Sequence, residues 1–138
     1  IDLGCHEIDI ADTIGVGTPE KTKLVFEALA TRYPLDRFSG HFHDTYGQAI
    51  ANVYAALEVG VSIFHGAVAG LGGCPYAKGA TGNVATEDLV YLLHGLGIKT
   101  GIDFDTLCEA GAFISTALAR KSNAKAGPAW LSKKNLSA

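Results

Sequence analysis

Apolar and polar positions in this chain follow two rhythms that take turns. Glu7-Ile8-Asp9-Ile10-Ala11-Asp12 alternates with the period of a strand and runs into Gly15 and Gly17, which mark a loop. Thr18 then stands as a helix cap, with Pro19 at the first helical position and Glu20 in the first turn. Leu24, Val25, Ala28 and Leu29 form one face of that helix, which reaches about Arg32 before Tyr33-Pro34 stops it. The pattern then repeats, with a strand over about Phe38 to His43 and a helix over about Gln48 to Val59. That helix has Ile50, Val53, Ala56 and Leu57 as its apolar face and Gly60 as its stop. A third strand, Val61 to Val68, leads into a glycine-rich stretch. Thr86-Glu87-Asp88 opens a further helix to Gly95 or Gly97, and Asp103 caps a last long one carrying Phe104, Leu107, Ala110, Phe113, Ile114 and Leu118. From Ser122 onward the residues are small and polar around a lone Trp130-Leu131, so residues 122–138 read as a tail after a folded part, 1–121.

Asp-Thr-x-Gly occurs twice, at Asp12 and at Asp44, each time between a strand end and a helix start. Two successive βα units of similar length are the simplest cause, and they imply an α/β fold with a parallel sheet. In such folds the C-terminal ends of the strands share one side, where active sites are built. Asp12, His41, His43 and the glycine-rich stretch all fall at or just after strand ends, as expected if three strands feed one site.

Composition narrows the function classes. The 138 residues are 48% hydrophobic and 18% charged, the make-up of one globular domain with a core. A net charge of -3 without a Lys/Arg run before the tail argues against a nucleic-acid or membrane-surface role, and no apolar run is long enough to span a bilayer. Three cysteines, Cys5, Cys74 and Cys108, match neither a zinc motif nor a disulfide framework, which points to free thiols in a reducing compartment. The chain opens on Ile1-Asp2 and contains no methionine, so it is expected to be part of something longer.

The candidate chemistry is carried by Asp12 and by residues 41–83. Gly70 to Asn83 holds five glycines, Pro75 and Cys74 within fourteen positions, a composition that shapes a working loop around a thiol. His41 and His43 stand two apart on a strand, so both imidazoles project from one face; they could chelate one divalent metal, or form a hydrogen-bonded pair lining a barrel interior. Asp44 could orient a ligand or cap the next helix. Asn83 offers an amide oxygen of the hard kind that suits Mg2+ or Mn2+. Asp12 offers a carboxylate as base or substrate contact, or caps its own loop. Cys74 is better placed as an acid/base or nucleophilic thiol than as a ligand.

Four motifs carry a resemblance: Asp12-Thr-Ile-Gly-Val-Gly17, His41-Phe-His-Asp-Thr-Tyr-Gly-Gln48, Gly70-Leu-Gly-Gly-Cys-Pro-Tyr-Ala77 and Gly82-Asn-Val-Ala-Thr-Glu-Asp-Leu-Val90. In order and spacing up to about Lys121 they resemble 3-hydroxy-3-methylglutaryl-CoA lyases. The resemblance implies the C-terminal part of a metal-dependent (β/α)8 TIM barrel, about three βα units plus C-terminal helices. It implies retro-Claisen cleavage of 3-hydroxy-3-methylglutaryl-CoA to acetoacetate and acetyl-CoA, in leucine breakdown and ketone-body formation. Carried over by motif, His41, His43 and Asn83 match the metal ligands for Mg2+ or Mn2+, Cys74 the catalytic thiol, Asp12 an acidic residue important for activity, and Glu87 one linked to it less firmly. A homo-oligomer, specifically a dimer, is expected of the complete enzyme, as is a bacterial-type cytoplasmic location, with a mitochondrial one left open.

Two departures qualify this. His65-Gly66-Ala67 replaces the Asp-Ser-Ser or near variant usual before Val-Ala-Gly-Leu-Gly-Gly, which touches the substrate contacts after the third strand. A (β/α)8 barrel also takes about 250 residues, so the resemblance implies that the family's first-strand arginine, and the first-strand aspartate that is a metal ligand in the family, lie outside this chain, and the isolated chain is expected to be inactive. The alternatives are a Claisen-type synthase or carboxyltransferase of the same barrel superfamily, which lack a Gly-Gly-Cys-Pro loop, or an inactive truncated fragment.

Overall fold

The computed structural model describes residues 1–73 and 82–136. Three strands, β1 (Ile8–Asp12), β2 (Phe38–Phe42) and β3 (Ile63–His65), form a parallel sheet in the order β1-β2-β3. The register sets Ala11 beside His41 and His41 beside His65. Helices α1 (Pro19–Ala30) and α2 (Ala49–Val59) make the crossovers and pack against each other.

Strand alternation explains the layering. Ile8 and Ile10 of β1 and Phe38 and Phe42 of β2 turn toward the helices, where they join Phe26, Val53, Ala56, Val61, Val84 and Leu89 in the core. Glu7, Asp9, Ala11, Ser39 and His41 have the opposite parity and occupy the other face.

The helix ends follow local chemistry unevenly. Thr18 makes no side-chain cap bond, and only its carbonyl is used, accepting from Thr22 N. Asp44 Oδ1 accepts from Ala49 N at 3.0 Å, so this aspartate does cap the start of α2. Asp103 caps α4 (Phe104–Ala117) by accepting from Thr106 N at 2.8 Å.

Two stretches depart from the expected pattern. The third strand is shorter than Val61 to Val68: after His65 the chain leaves the sheet, Ala67 N donates to Val84 O, and Val68–Gly70 form a 3-10 turn in which Ala69 has φ 57°. The polar stretch after Ser122 is not an irregular tail throughout, because Ala126–Asn135 form helix α5, packed against α3 (Thr86–Gly95) and α4. Its support is tertiary. Asp88 of α3 accepts from Lys125 N and Ala126 N, capping α5 from another helix, and Trp130 Nε1 donates to Asp105 Oδ1 at 2.6 Å. No helix among the described residues is long and apolar enough to cross a membrane.

Phe26 is 1% exposed at the meeting of α1 with the sheet. Phe26→Ala is expected to cost about 3–5 kcal/mol, read from the urea midpoint with the denaturant slope unchanged; a loss below ~1 kcal/mol would mean that this core is not the one that holds the chain together.

Candidate metal centre

The chain end of β2 brings the first two donors. His41 lies in the strand and His43 just beyond it, on the same face, with their rings stacked at a centroid distance of 5.2 Å and 27° between planes. The third donor arrives from the far side of the glycine-rich stretch. Val84 N donates to Phe42 O and Asp44 N to Gly82 O, so residues 82–84 run beside the end of β2 and Asn83 bridges to His43.

Each polar group is oriented by a second partner. Asn83 Nδ2 donates to Leu71 O at 3.0 Å, which turns its Oδ1 toward His41 Nε2, 2.9 Å away. The Nδ1–H of His41 donates to Asp9 Oδ2 at 3.0 Å, and the Nδ1–H of His43 donates to the carbonyl of Asp12 at 3.0 Å. The Asp12 carbonyl is an acceptor only, so His43 carries a proton on Nδ1; His41 has an oxygen acceptor at each nitrogen, Asp9 Oδ2 at Nδ1 and Asn83 Oδ1 at Nε2.

Asp12 uses its carboxylate locally. Oδ1 accepts from Val16 N at 3.1 Å and Oδ2 from Gly17 N at 2.9 Å, while its carbonyl serves His43. The loop can close this tightly because residue 17 is glycine: a Cβ there would sit 2.8 Å from Asp12 Oδ2. Asn52 of α2, fully buried, donates to the Gly17 carbonyl at 3.1 Å and ties the loop to the neighbouring unit.

Glu87 is 1% exposed, and both its oxygens accept from Ala69 N, at 2.9 and 3.0 Å. It thereby braces the left-handed Ala69 in the turn from which the glycine-rich stretch departs. A Cβ on Gly111 of α4 would collide with Glu87 Oε1, so the helix leaves room for the carboxylate. Burial pushes the Glu87 carboxyl above its ordinary value, with its hydrogen bonds from Ala69 and its own N–H pulling the other way. Beside it, burial and then the Glu87 charge push the Cys108 thiol up to about 11. Cys74 lies outside the described residues.

The structure thus gathers His41, His43 and Asn83, brings in Asp12 through its carbonyl, and sets Glu87 behind the turn. Asp9 and His65 belong to the same cluster although spacing alone did not single them out as donors: Asp9, His41 and His65 each offer one ligand atom within 4.8 Å of the others, and Asp9 Oδ2 lies 3.0 Å from His41 Nδ1 and 3.4 Å from His65 Nδ1. The signal for Asp9 was its two-residue offset from Ala11, the neighbour of His41 across the register.

Successive parallel βα units with two imidazoles and an amide oxygen gathered at the strand ends define a segment of an α/β-barrel protein with a candidate divalent-metal centre. Residues 1–114 match the family described as HMGL-like, and the chain belongs to that family. It is 54% identical over 131 residues to the 3-hydroxy-3-isohexenylglutaryl-CoA/hydroxymethylglutaryl-CoA lyase of Pseudomonas aeruginosa, covering 95% of this chain and 44% of the relative. It is 56% identical over 127 residues to the mitochondrial hydroxymethylglutaryl-CoA lyase of Homo sapiens, covering 92% of this chain and 39% of that protein. The crystal structure of the hydroxymethylglutaryl-CoA lyase from Pseudomonas aeruginosa superposes with a TM-score of 0.91 at 54% identity, over 96% of this chain and 44% of its own. The fold is therefore part of the TIM barrel of this family, and the chain spans less than half the length of these curated relatives.

The raised Glu87 carboxyl makes a signed prediction. As pH rises past the ordinary glutamate value of 4.5, the unfolded chain loses this proton before the folded one does, so stability falls with rising pH until the raised folded value is passed. Glu87→Gln is expected to flatten that part of a melting-temperature profile, and Gly111→Ala to destabilise by about 1–3 kcal/mol. A slope that survives Glu87→Gln would assign it to other groups.

Proposed function

We propose that this chain is the metal-binding, thiol-bearing portion of an enzyme that cleaves 3-hydroxy-3-methylglutaryl-CoA to acetoacetate and acetyl-CoA, and that turnover needs the rest of the barrel. Family membership and the names of the relatives support the substrate class. The observation that carries the metal reading is the convergence of a ring nitrogen and an amide oxygen, which meet acceptor to acceptor when the His41 proton is on Nδ1. His41 Nε2 and Asn83 Oδ1 face each other at 2.9 Å, and the partners on Asp9 and Leu71 turn acceptor toward acceptor. At 2.9 Å the two atoms are close enough for one divalent ion to be held by both.

The donor set fits Mg2+ or Mn2+, with two imidazoles favouring Mn2+ over Mg2+. His41, His43 and Asn83 would hold the ion, which when bound supplies Lewis-acid stabilisation to the tertiary hydroxyl of the substrate as it loses its proton. The remaining steps fall to side chains. Asp12 is the proposed acceptor of that hydroxyl proton, through lone pairs left free by Val16 and Gly17. As the carbon-carbon bond breaks, its electron pair passes to the acetyl-CoA carbon and the new ketone becomes acetoacetate; the thiol of Cys74 is the proposed donor of the proton that this carbon takes up. Glu87 acts through the backbone, bracing the turn at Ala69 from which the Cys74 stretch starts.

With Mn2+ present, the 138-residue chain alone is expected to show no cleavage, and the chain joined to the N-terminal region of its Pseudomonas aeruginosa relative is expected to be active. Inactivity of the joined protein would contradict the lyase reading, and turnover by the chain alone would contradict the need for the rest of the barrel. In the joined protein, Cys74→Ser is expected to lower kcat by about 10²–10⁴-fold with Mn2+ affinity unchanged; a lost affinity would make the thiol a ligand.

A further inference from the structure

Asp9 stands outside the donor set proposed above, yet it is bound to that set through His41. Its Oδ2 accepts the Nδ1–H of His41 at 3.0 Å and its Oδ1 accepts the hydroxyl of Ser39 at 3.1 Å, while His65 Nδ1 stands 3.4 Å from the same Oδ2. These contacts span the whole sheet. Asp9 on β1 is in register with Ser39 on β2, and His41 on β2 with His65 on β3. His65 also reaches Glu7 Oε1 at 3.2 Å, so the residue that replaces the usual aspartate of the family motif faces two carboxylates, Asp9 on β1 and Glu7 just before it.

We infer that Asp9 is a positioning residue for the metal centre, acting through His41. The carboxylate fixes the ring with its proton on Nδ1, keeps the Nε2 lone pair aimed at the space beside Asn83 Oδ1, and makes the imidazole a stronger donor by placing a negative charge behind it. His43 receives the same orientation from a neutral group, the Asp12 carbonyl, so the charged version of the device falls on His41 alone of the two. Ser39 and His65 hold the carboxylate in place. This inference rests on the metal reading of His41, His43 and Asn83.

The same atoms allow one competing arrangement, with an ion among Asp9, His41 Nδ1 and His65 instead. The two arrangements use opposite nitrogens of one ring. The Nε2 side is the better prepared, since Asn83 and His43 are each fixed there by a backbone carbonyl, whereas the His65 and Asp9 side chains are 42% and 36% exposed and one Asp9 oxygen already serves Ser39.

The test is Mn2+ binding to the 138-residue chain, followed by electron paramagnetic resonance, with the fold of each variant checked by circular dichroism. Asp9→Ala is expected to weaken binding by about ten- to a hundredfold without changing the stoichiometry. Asp9→Asn, which keeps an oxygen acceptor for Nδ1–H, is expected to recover part of the loss, and His65→Ala to change affinity no more than a few-fold. Asn83→Ala and His43→Ala, which remove donors, are expected to abolish tight binding. Unchanged affinity in Asp9→Ala would overturn the inference while leaving the metal reading intact. Loss of binding in His65→Ala with retention in Asn83→Ala would overturn it in favour of the Asp9-His41-His65 arrangement. A wild-type chain, folded by circular dichroism, that takes up no Mn2+ would overturn the metal reading and this inference together.

Discussion

The ring of His41 has an oxygen acceptor at each nitrogen, and the arrangement of the site depends on that single constraint. Asp9 reaches it from the first strand and Asn83 from the segment that follows the glycine-rich stretch, so one imidazole is gripped by residues 32 positions before it and 42 after it. A neutral imidazole has one N–H to offer two acceptors, and the stronger, charged one takes it. With the proton on Nδ1, the Nε2 lone pair faces the Asn83 oxygen, an arrangement that the proposed cation would relieve.

The parallel sheet makes this geometry possible. Parallel pairing places the ends of β1, β2 and β3 on one side, and the register then decides which side chains meet: Ala11, His41 and His65 form one row across the three strands. The apolar residues of the other parity bury against α1 and α2, which keeps the row from slipping by one residue, since such a slip would turn Phe38 and Phe42 out of the core. Core packing and donor placement are thus two consequences of one alternation. Behind the row, Glu87 secures the Ala69 turn from inside, with Gly111 making space for it, so the entry to the thiol-bearing stretch is fixed by a buried carboxylate.

Much of this was legible in the sequence where the information is local. The strand and helix alternation, the glycine stop of α2 and the Asp103 cap all follow from neighbouring residues, and His41, His43 and Asn83 could be singled out from motif and spacing. What was not legible depends on distant partners. Val61 to Val68 reads as one strand, but only Ile63–His65 pair, because residues 67 and 69 bond instead to Val84 and Glu87. Helix α5 carries Gly127 and Pro128 near its start and no clear apolar stripe; Asp88, 37 residues earlier than Lys125, supplies the cap that its own sequence lacks. Asp9 was passed over because it lies in no motif, and His65 was read only as a departure from the substrate-contact motif; the strand register is what brings both to His41.

The central claim is that an ion sits on the Nε2 side of His41. The direct measurement is a crystal structure of the chain soaked with Mn2+, with the ion located by its anomalous scattering. The account predicts a single strong peak bonded to His41 Nε2, His43 Nε2 and Asn83 Oδ1, with Asp9 still holding the Nδ1–H. A peak on the Nδ1 side, among Asp9, His41 and His65, would contradict it.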